Sequence, residues 1–236
     1  VNHILQLLAA AAQEPPAAAD PSSLKDATVA VLRSTIEADP AHYVRGQYTG
    51  YREISGVAAR STTETFATLR LEVDNWRWAG VPFFIRTGKR LPVTATEVRL
   101  VFKYPPRLRI IRDQHRARPE PDQLVVRIDP DVGFQLTLEG LRADHRGPAP
   151  LSLHARLLDE GGAPPTPYEV LLHAALVGDA SRFTRQDAVE ESWRIVQPLL
   201  EKPGRAYRYM PGTWGPAQAA KITKGRGRWF DPWLSG

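Results

Sequence analysis

Few residues of this chain are suited to chemistry by type and spacing. They are a lysine behind a glycine in Arg86-Thr-Gly-Lys89, a histidine in the opening Asn2-His3, and cations interleaved with aromatics in the tail from Lys221 to Trp233. The Gly-Lys pair invites a phosphate-loop reading, but the spacing refuses it. Seven residues separate Gly80 from Gly88 where that motif has four, and Arg90 stands where it needs Ser or Thr. No G-x-G-x-x-G occurs, so the chain carries no recognisable dinucleotide-binding turn. What is left is an apolar strand ending in Arg86, a glycine whose bare Cα would let backbone approach a ligand, and Lys89, a compact mobile charge suited to a phosphate or hydroxyl. A solvated cation at a strand end satisfies the same pattern.

His3 has the residue type of a general base, with an unperturbed pKa of about 6.5. On an apolar helix it equally reads as a packing or boundary residue. The other histidines, His42, His115, His145, His154 and His173, show no metal-ligand spacing. The tail admits two readings: a nucleic-acid contact, or a segment that docks its aromatics while its cations stay in water.

These residues must be positioned by a chain of 236 residues, enough for one large domain or two small ones. The apolar fraction of 42% and charged fraction of 24% are those of a globular protein, and no apolar run approaches the roughly 18 residues of a membrane span. The absence of cysteine excludes disulfides, thiol nucleophiles and cysteine-based metal sites, and fits the cytoplasm. A net charge of +5, from singly scattered arginines, suits an anionic small molecule. The chain opens on Val without the basic region of a signal peptide and reads as cut from something longer.

Helical spacing predicts a first helix from Asn2 to about Gln13. A second, capped by Ser22 or Ser23, carries Leu24, Val31, Leu32 and Ile36 on one face and closes at Asp39-Pro40. From Tyr43 the period becomes two, with strands at Phe66–Val73, Phe83–Arg86, Glu97–Lys103, Gln123–Ile128 and Phe134–Leu138. Pro148-Ala-Pro150 and Gly161-Gly-Ala-Pro-Pro165 read as loops. Thr166-Pro-Tyr-Glu169 is a capping box opening a helix with Tyr168, Leu171, Leu172, Ala175 and Leu176 on its apolar side. A last helix begins near Thr184 with Val189, Trp193, Val196 and Leu200 inward, and the tail after Gly204 looks irregular. Helices, then strands joined by short turns, then helices specify an α+β domain over residues 1–236, a large mostly antiparallel sheet with helices packed on one face.

Several segments together resemble one family. They are Arg45-Gly-Gln-Tyr48, Ser61-Thr-Thr-Glu-Thr-Phe66, the long D-N-W-R-W-A-G-V-P-F-F-I-R-T-G-K from Asp74 to Lys89, P-Y-E-V-L-L-H-A-A-L-V-G-D from Pro167, E-S-W-R-I-V-Q-P-L-L from Glu191, and Trp214-Gly-Pro216. In unbroken order over nearly the whole chain, they resemble the C-terminal domain of glucose-6-phosphate dehydrogenase. The resemblance implies a substrate-side and dimerisation domain, a partner domain that binds NADP, glucose 6-phosphate as substrate, and a homodimer or homotetramer formed through the sheet. It implies neither nucleic acid nor membrane as partner. His3 matches the family histidine that takes the proton from the sugar's C1 hydroxyl, and Lys89 the family lysine that contacts substrate.

Departures accompany the match. Val93, Thr94 and Ala95 stand where the family carries a second basic residue, and Asp129 stands where it has a sugar-contacting glutamine. A carboxylate there accepts bonds from hydroxyls and repels a nearby phosphate. These two changes leave a second reading, a non-catalytic scaffold or an enzyme for another hexose. Animal members bind a second, structural NADP. Arg86, Arg99 and Arg127 match three of its basic residues, whereas Gln135, Thr137 and Trp214 do not match the others. The resemblance puts the H-Y-L-G-K phosphate grip and the acid that pairs with the histidine before Val1.

Overall fold

The structure, a computed structural model, describes residues 2–104, 120–141, 148–157 and 165–233. It divides into two compact units, Val1–Val93 with Pro165–Trp229, and Thr94–Pro164 with Phe230–Gly236. Each is built on a four-stranded sheet, so the expected strands form two sheets. The α+β class and the mostly antiparallel pairing stand. Among the described residues no helix is long and apolar enough to cross a membrane.

The first unit holds α1 (Asn2–Ala12), α2 (Pro21–Ser34), β1 (Tyr43–Tyr48), β2 (Phe66–Glu72) and β3 (Pro82–Gly88). After the second unit's strands come α3 (Pro167–Leu176), α4 (Gln186–Glu201) and, following the four strands numbered between, β8 (Ala206–Tyr209). Its sheet runs β3-β2-β1-β8, antiparallel except where β8 joins β1 in parallel. α1, α2 and α4 cover one face: Leu5, Leu8, Val31, Leu32, Ile195 and Leu199 bury against Leu69 and Leu71 of β2. That is the alternation expected of the strand, with Leu69 and Leu71 inward on one face.

The second unit contains β4 (Thr96–Val101), β5 (Gln123–Asp129), β6 (Gly133–Leu141) and β7 (Pro148–Arg156), an antiparallel meander. Register puts Val98, Leu100, Leu124, Val126, Phe134, Leu136, Leu138, Leu151 and Leu153 on one face. Glu97, Arg99, Arg127, Gln135, Thr137, Ser152 and His154 line the other.

Several local expectations shift. α2 is capped by Asp20, whose carboxylate accepts from the backbone N–H groups of Ser22 and Ser23, with Pro21 at the first position. Asp, a stronger acceptor, followed by a preset φ displaces the serines. The helix stops at Ser34, short of Asp39, because the Thr35 and Ile36 backbone turns to pair with the end of β2. Ile36 is consequently exposed, and Leu24, in the first turn, is exposed as well. α4 is rotated relative to the expected face: Ala188, Ile195, Val196 and Leu199 are buried, whereas Val189, Trp193 and Leu200 are exposed. Choosing the bulkiest residues misplaced the stripe by one position, since small Ala188 is what lies against the core. Tyr168, Leu171, Leu172 and Leu176 of α3 are exposed also, although its capping box is present as expected. Pro148-Ala-Pro150 begins β7; prolines sit there because β7 is an edge strand with a side that needs no donors. Strand β8 lies within the supposedly irregular tail.

Candidate active site

Lys89 follows β3 directly and is exposed, at a corner whose backbone is held from several sides. Its N–H donates to Thr65 O at 2.7 Å, extending the β2–β3 pairing, and its carbonyl accepts from the Tyr209 hydroxyl at 2.7 Å. Arg90 then takes a left-handed φ of 55°, an uncommon conformation for a side chain of this size, and its carbonyl accepts from Gly212 N–H at 2.8 Å. The strand therefore ends abruptly, which leaves the lysine at the turn.

Beneath that corner lies a second small core of Phe66, Tyr209 and Ala219, with Tyr48 and Leu91 at its edge. Phe66 is opposite Gly46 on β1 and Gly88 on β3. A Cβ on Gly88 would meet the Phe66 ring at 2.9 Å, and one on Gly215 would meet it at 2.3 Å. The glycine of Arg86-Thr-Gly-Lys89 thus makes room for a phenylalanine, a packing reason for glycine beside its expected role of admitting a ligand to the backbone. The resembling segments that carry these glycines meet around one ring, because Gly46 also lies against Pro216.

The segment leading into Phe66 is fixed by buried polar groups of β1. Gln47 donates to the carbonyls of Ser61 and Thr63 at 3.1 and 2.9 Å and accepts from Arg52. Arg45 donates to the Thr62 carbonyl and pairs with Glu64 at 3.0 Å. Burial, with Glu64 beside it, pushes the Tyr43 phenol up to about 12.

His3 is exposed on the first turn of α1. The far end of α1 is anchored near the start of β3: Trp78 Nε1 donates to Ala12 O at 2.8 Å, and the Trp78 ring packs edge-on against Phe83 at 5.2 Å. His3 and Lys89 each lie at the end of their element remote from this shared anchor. About 14 Å of helix lead to one and about 20 Å of strand to the other. Phe83 and Ile85 pack on the core that holds Leu5 and Leu8, so helix and strand belong to one rigid assembly.

Arg86 faces the other way. Its guanidinium is stacked between Trp214 at 4.5 Å and Trp229 at 4.9 Å, and Trp229 is itself fixed by a hydrogen bond from Nε1 to Ala219 O. Within the second unit, Arg99 stacks on Phe230 and bonds Glu97, Gln123 and the Asp231 carbonyl. Buried Arg127 stacks on Trp233 at 4.4 Å and donates to the carbonyls of Asp131 and Trp233. The tail aromatics are docked while Lys221, Lys224, Arg226 and Arg228 remain exposed, in accord with the docking reading of the tail. Asp129 ends β5 opposite Thr96 and is exposed, as is Thr94; both belong to the second unit.

The N-termini of α2 and α3 are already answered by the carboxylates of Asp20 and Glu169, and in the first turn of α4 the Ala188 N–H donates to Asp187. The α2 and α3 termini therefore present no free seat for a coenzyme pyrophosphate. Thr65 and Tyr209 were not legible as site residues. Thr65 falls within the resembling segment Ser61–Phe66, whereas Tyr209 lies in none of those segments.

Fold and site define an α+β domain that presents a cation and a histidine from the ends of packed elements. The chain belongs to the family described as glucose-6-phosphate dehydrogenase, C-terminal domain, whose model matches residues 1–231. It is 46% identical over 233 residues to glucose-6-phosphate 1-dehydrogenase 1 of Mycobacterium tuberculosis (strain CDC 1551 / Oshkosh), covering 99% of this chain and 49% of that protein. Against the glucose-6-phosphate 1-dehydrogenase of Aggregatibacter actinomycetemcomitans identity is 42%, covering 98% and 50%. The crystal structure of the Mycobacterium avium enzyme superposes with a TM-score of 0.90 at 47% identity, over 100% of this chain and 50% of that one. A glucose-6-phosphate dehydrogenase in complex with its substrate glucose-6-phosphate superposes with a TM-score of 0.80 at 27% identity, over 98% and 50%. The chain spans about half the length of the curated relatives it matches.

Proposed function

We propose that this chain is the substrate-side and oligomerisation domain of a glucose-6-phosphate dehydrogenase. The complete protein would oxidise glucose 6-phosphate to 6-phosphogluconolactone with NADP, in the pentose phosphate pathway of the cytoplasm. The observation that carries the proposal is the family match along essentially the whole chain, at 46% identity to a named dehydrogenase. NADP, held by a domain other than this one, supplies the oxidant. His3 takes the proton of the sugar's C1 hydroxyl, and its seat on a packed helix would fix its position relative to that carbon. Lys89 presents an ammonium to the anionic sugar from the corner after β3. Asp129 accepts from sugar hydroxyls, at the cost of repelling phosphate.

Assembly into a homodimer or homotetramer is proposed to use the second unit's sheet. Val126, Ile128, Phe134, Leu151 and Leu153 are all exposed there, an apolar patch of the kind oligomers cover.

The test is steady-state NADP reduction by the complete protein, comparing glucose 6-phosphate with free glucose and other hexose phosphates. Selective turnover of glucose 6-phosphate is expected. His3→Asn should lower kcat by about 10²- to 10⁴-fold, and Asp129→Gln should lower KM by about two- to tenfold as the repulsion is removed. Absence of turnover with every sugar would overturn the proposal, and full activity of His3→Asn would remove the histidine from it.

A further inference from the structure

Tyr209 is 4% exposed, 120 residues beyond Lys89 in sequence, on the strand at the opposite edge of the first sheet. Its hydroxyl lies 2.7 Å from Lys89 O, 3.1 Å from Thr65 O and 3.0 Å from Thr65 Oγ1. The directions of these bonds follow from counting protons. The Lys89 and Thr65 carbonyls can only accept, so once the single phenolic proton goes to one of them the contact between hydroxyls is donated by Thr65 Oγ1, which also accepts from Tyr48 N–H at 3.0 Å. The phenolic proton goes to the nearer carbonyl, that of Lys89. An ordered relay results: Tyr48 N–H to Thr65, Thr65 to Tyr209, Tyr209 to the lysine's own peptide. Burial pushes the Tyr209 phenol above its ordinary value, which favours its donating form.

The effect is local. Gly88 before the lysine is confined by Phe66 and Leu91, and Arg90 after it is held left-handed with its carbonyl on Gly212. Lys89 has its N–H tied to Thr65 O. Its carbonyl is the remaining main-chain group, and Tyr209 supplies the donor. An exposed lysine with a long flexible side chain can deliver charge to a fixed point only if its Cα is fixed.

We infer that Tyr209, oriented by Thr65, is a positioning residue for Lys89: its hydroxyl immobilises the peptide from which the substrate-facing ammonium extends. The inference rests on the proposed substrate role of Lys89. In the complete protein, Tyr209→Phe removes only the oxygen. It should raise KM for glucose 6-phosphate about fivefold, the scale of one hydrogen bond, with kcat nearly unchanged. A Lys89→Gln background should abolish the effect, since nothing then remains to be positioned. Thr65→Val, which removes the donor to Tyr209, should shift KM the same way by less. It decides the matter if the phenylalanine variant does not fold.

The two possible failures are distinguishable. An unchanged KM in Lys89→Gln overturns the substrate role of the lysine and the positioning inference with it. A raised KM in Lys89→Gln overturns the positioning inference alone if Tyr209→Phe and Thr65→Val leave KM unchanged, lower kcat instead, or raise KM equally with and without Lys89.

Discussion

The seat of Phe66 yields the sharpest prediction, because two glycines against it and a third elsewhere differ in why they are glycine. Gly215 has a φ of 92°, and a Cβ there would lie 2.3, 2.5 and 2.7 Å from ring atoms of Phe66. Gly88 lacks the positive φ but would meet the ring at 2.9 Å and Leu91 at 3.2 Å. Gly225 has a φ of 79° with nothing within 4 Å. Alanine at Gly225 thus pays only the left-handed strain, about 1–2 kcal/mol. At Gly88 it meets only overpacking, about 1–3 kcal/mol. At Gly215 it meets both, about 2–5 kcal/mol. For a chain of this size each kcal/mol moves Tm by about 2–4 °C, so Gly215→Ala should melt about 4–20 °C low and Gly225→Ala about 2–8 °C low. Scanning calorimetry of the three variants reads the order. Phe66→Leu, which removes the ring atoms that clash, should recover part of the loss in Gly215→Ala and none in Gly225→Ala. Equal losses at Gly215 and Gly225, or a Phe66→Leu cost that simply adds to that of Gly215→Ala, would refute the shared seat. A Gly88→Ala variant of undiminished stability that no longer binds substrate would make ligand approach, not packing, the reason for that glycine.

Two further predictions concern local links. Thr166→Ala removes the capping box of α3, worth about 1 kcal/mol, and should speed amide exchange in that helix's first turn about fivefold; unchanged exchange would mean the box holds nothing. Glu14 receives Nε and Nη2 of Arg77 at 2.5 and 2.7 Å, and these hydrogen bonds hold its carboxyl below the ordinary 4.5. A depressed folded value means that the link contributes fully above the unfolded value and is lost as pH falls through the folded one. The Tm difference between the protein and Glu14→Gln should therefore be constant above about pH 5 and shrink below it, and a difference that grows on acidification would contradict the assignment.

The elements that could be read from sequence are those whose cause is local. The capping box at Thr166 satisfies its bonds within four residues, and the alternation of Leu69 and Leu71 follows from strand geometry alone. Misreadings occur where a distant neighbour decides. Pro148 and Pro150 are compatible with a strand only because β7 has one open edge, and Ala206–Tyr209 is a strand only because β1 lies parallel beside it. Ile36 fits the helical stripe but is drawn out of it by pairing with the end of β2.

Of the candidate site, the resemblance of the quoted segments named His3, Lys89 and Asp129, since residue type alone left a packing histidine and a solvated cation as equal readings. What they rest on was invisible. Thr65 and Tyr209 are 144 residues apart with hydroxyls 3.0 Å from each other, and Gly46, Gly88 and Gly215 are spread over some two thirds of the chain and meet near one ring. Chemical type is carried by side chains and is legible one residue at a time. Position is carried by contacts between segments that only the folded sheet brings together, so the fixing of Lys89 was decided in three dimensions.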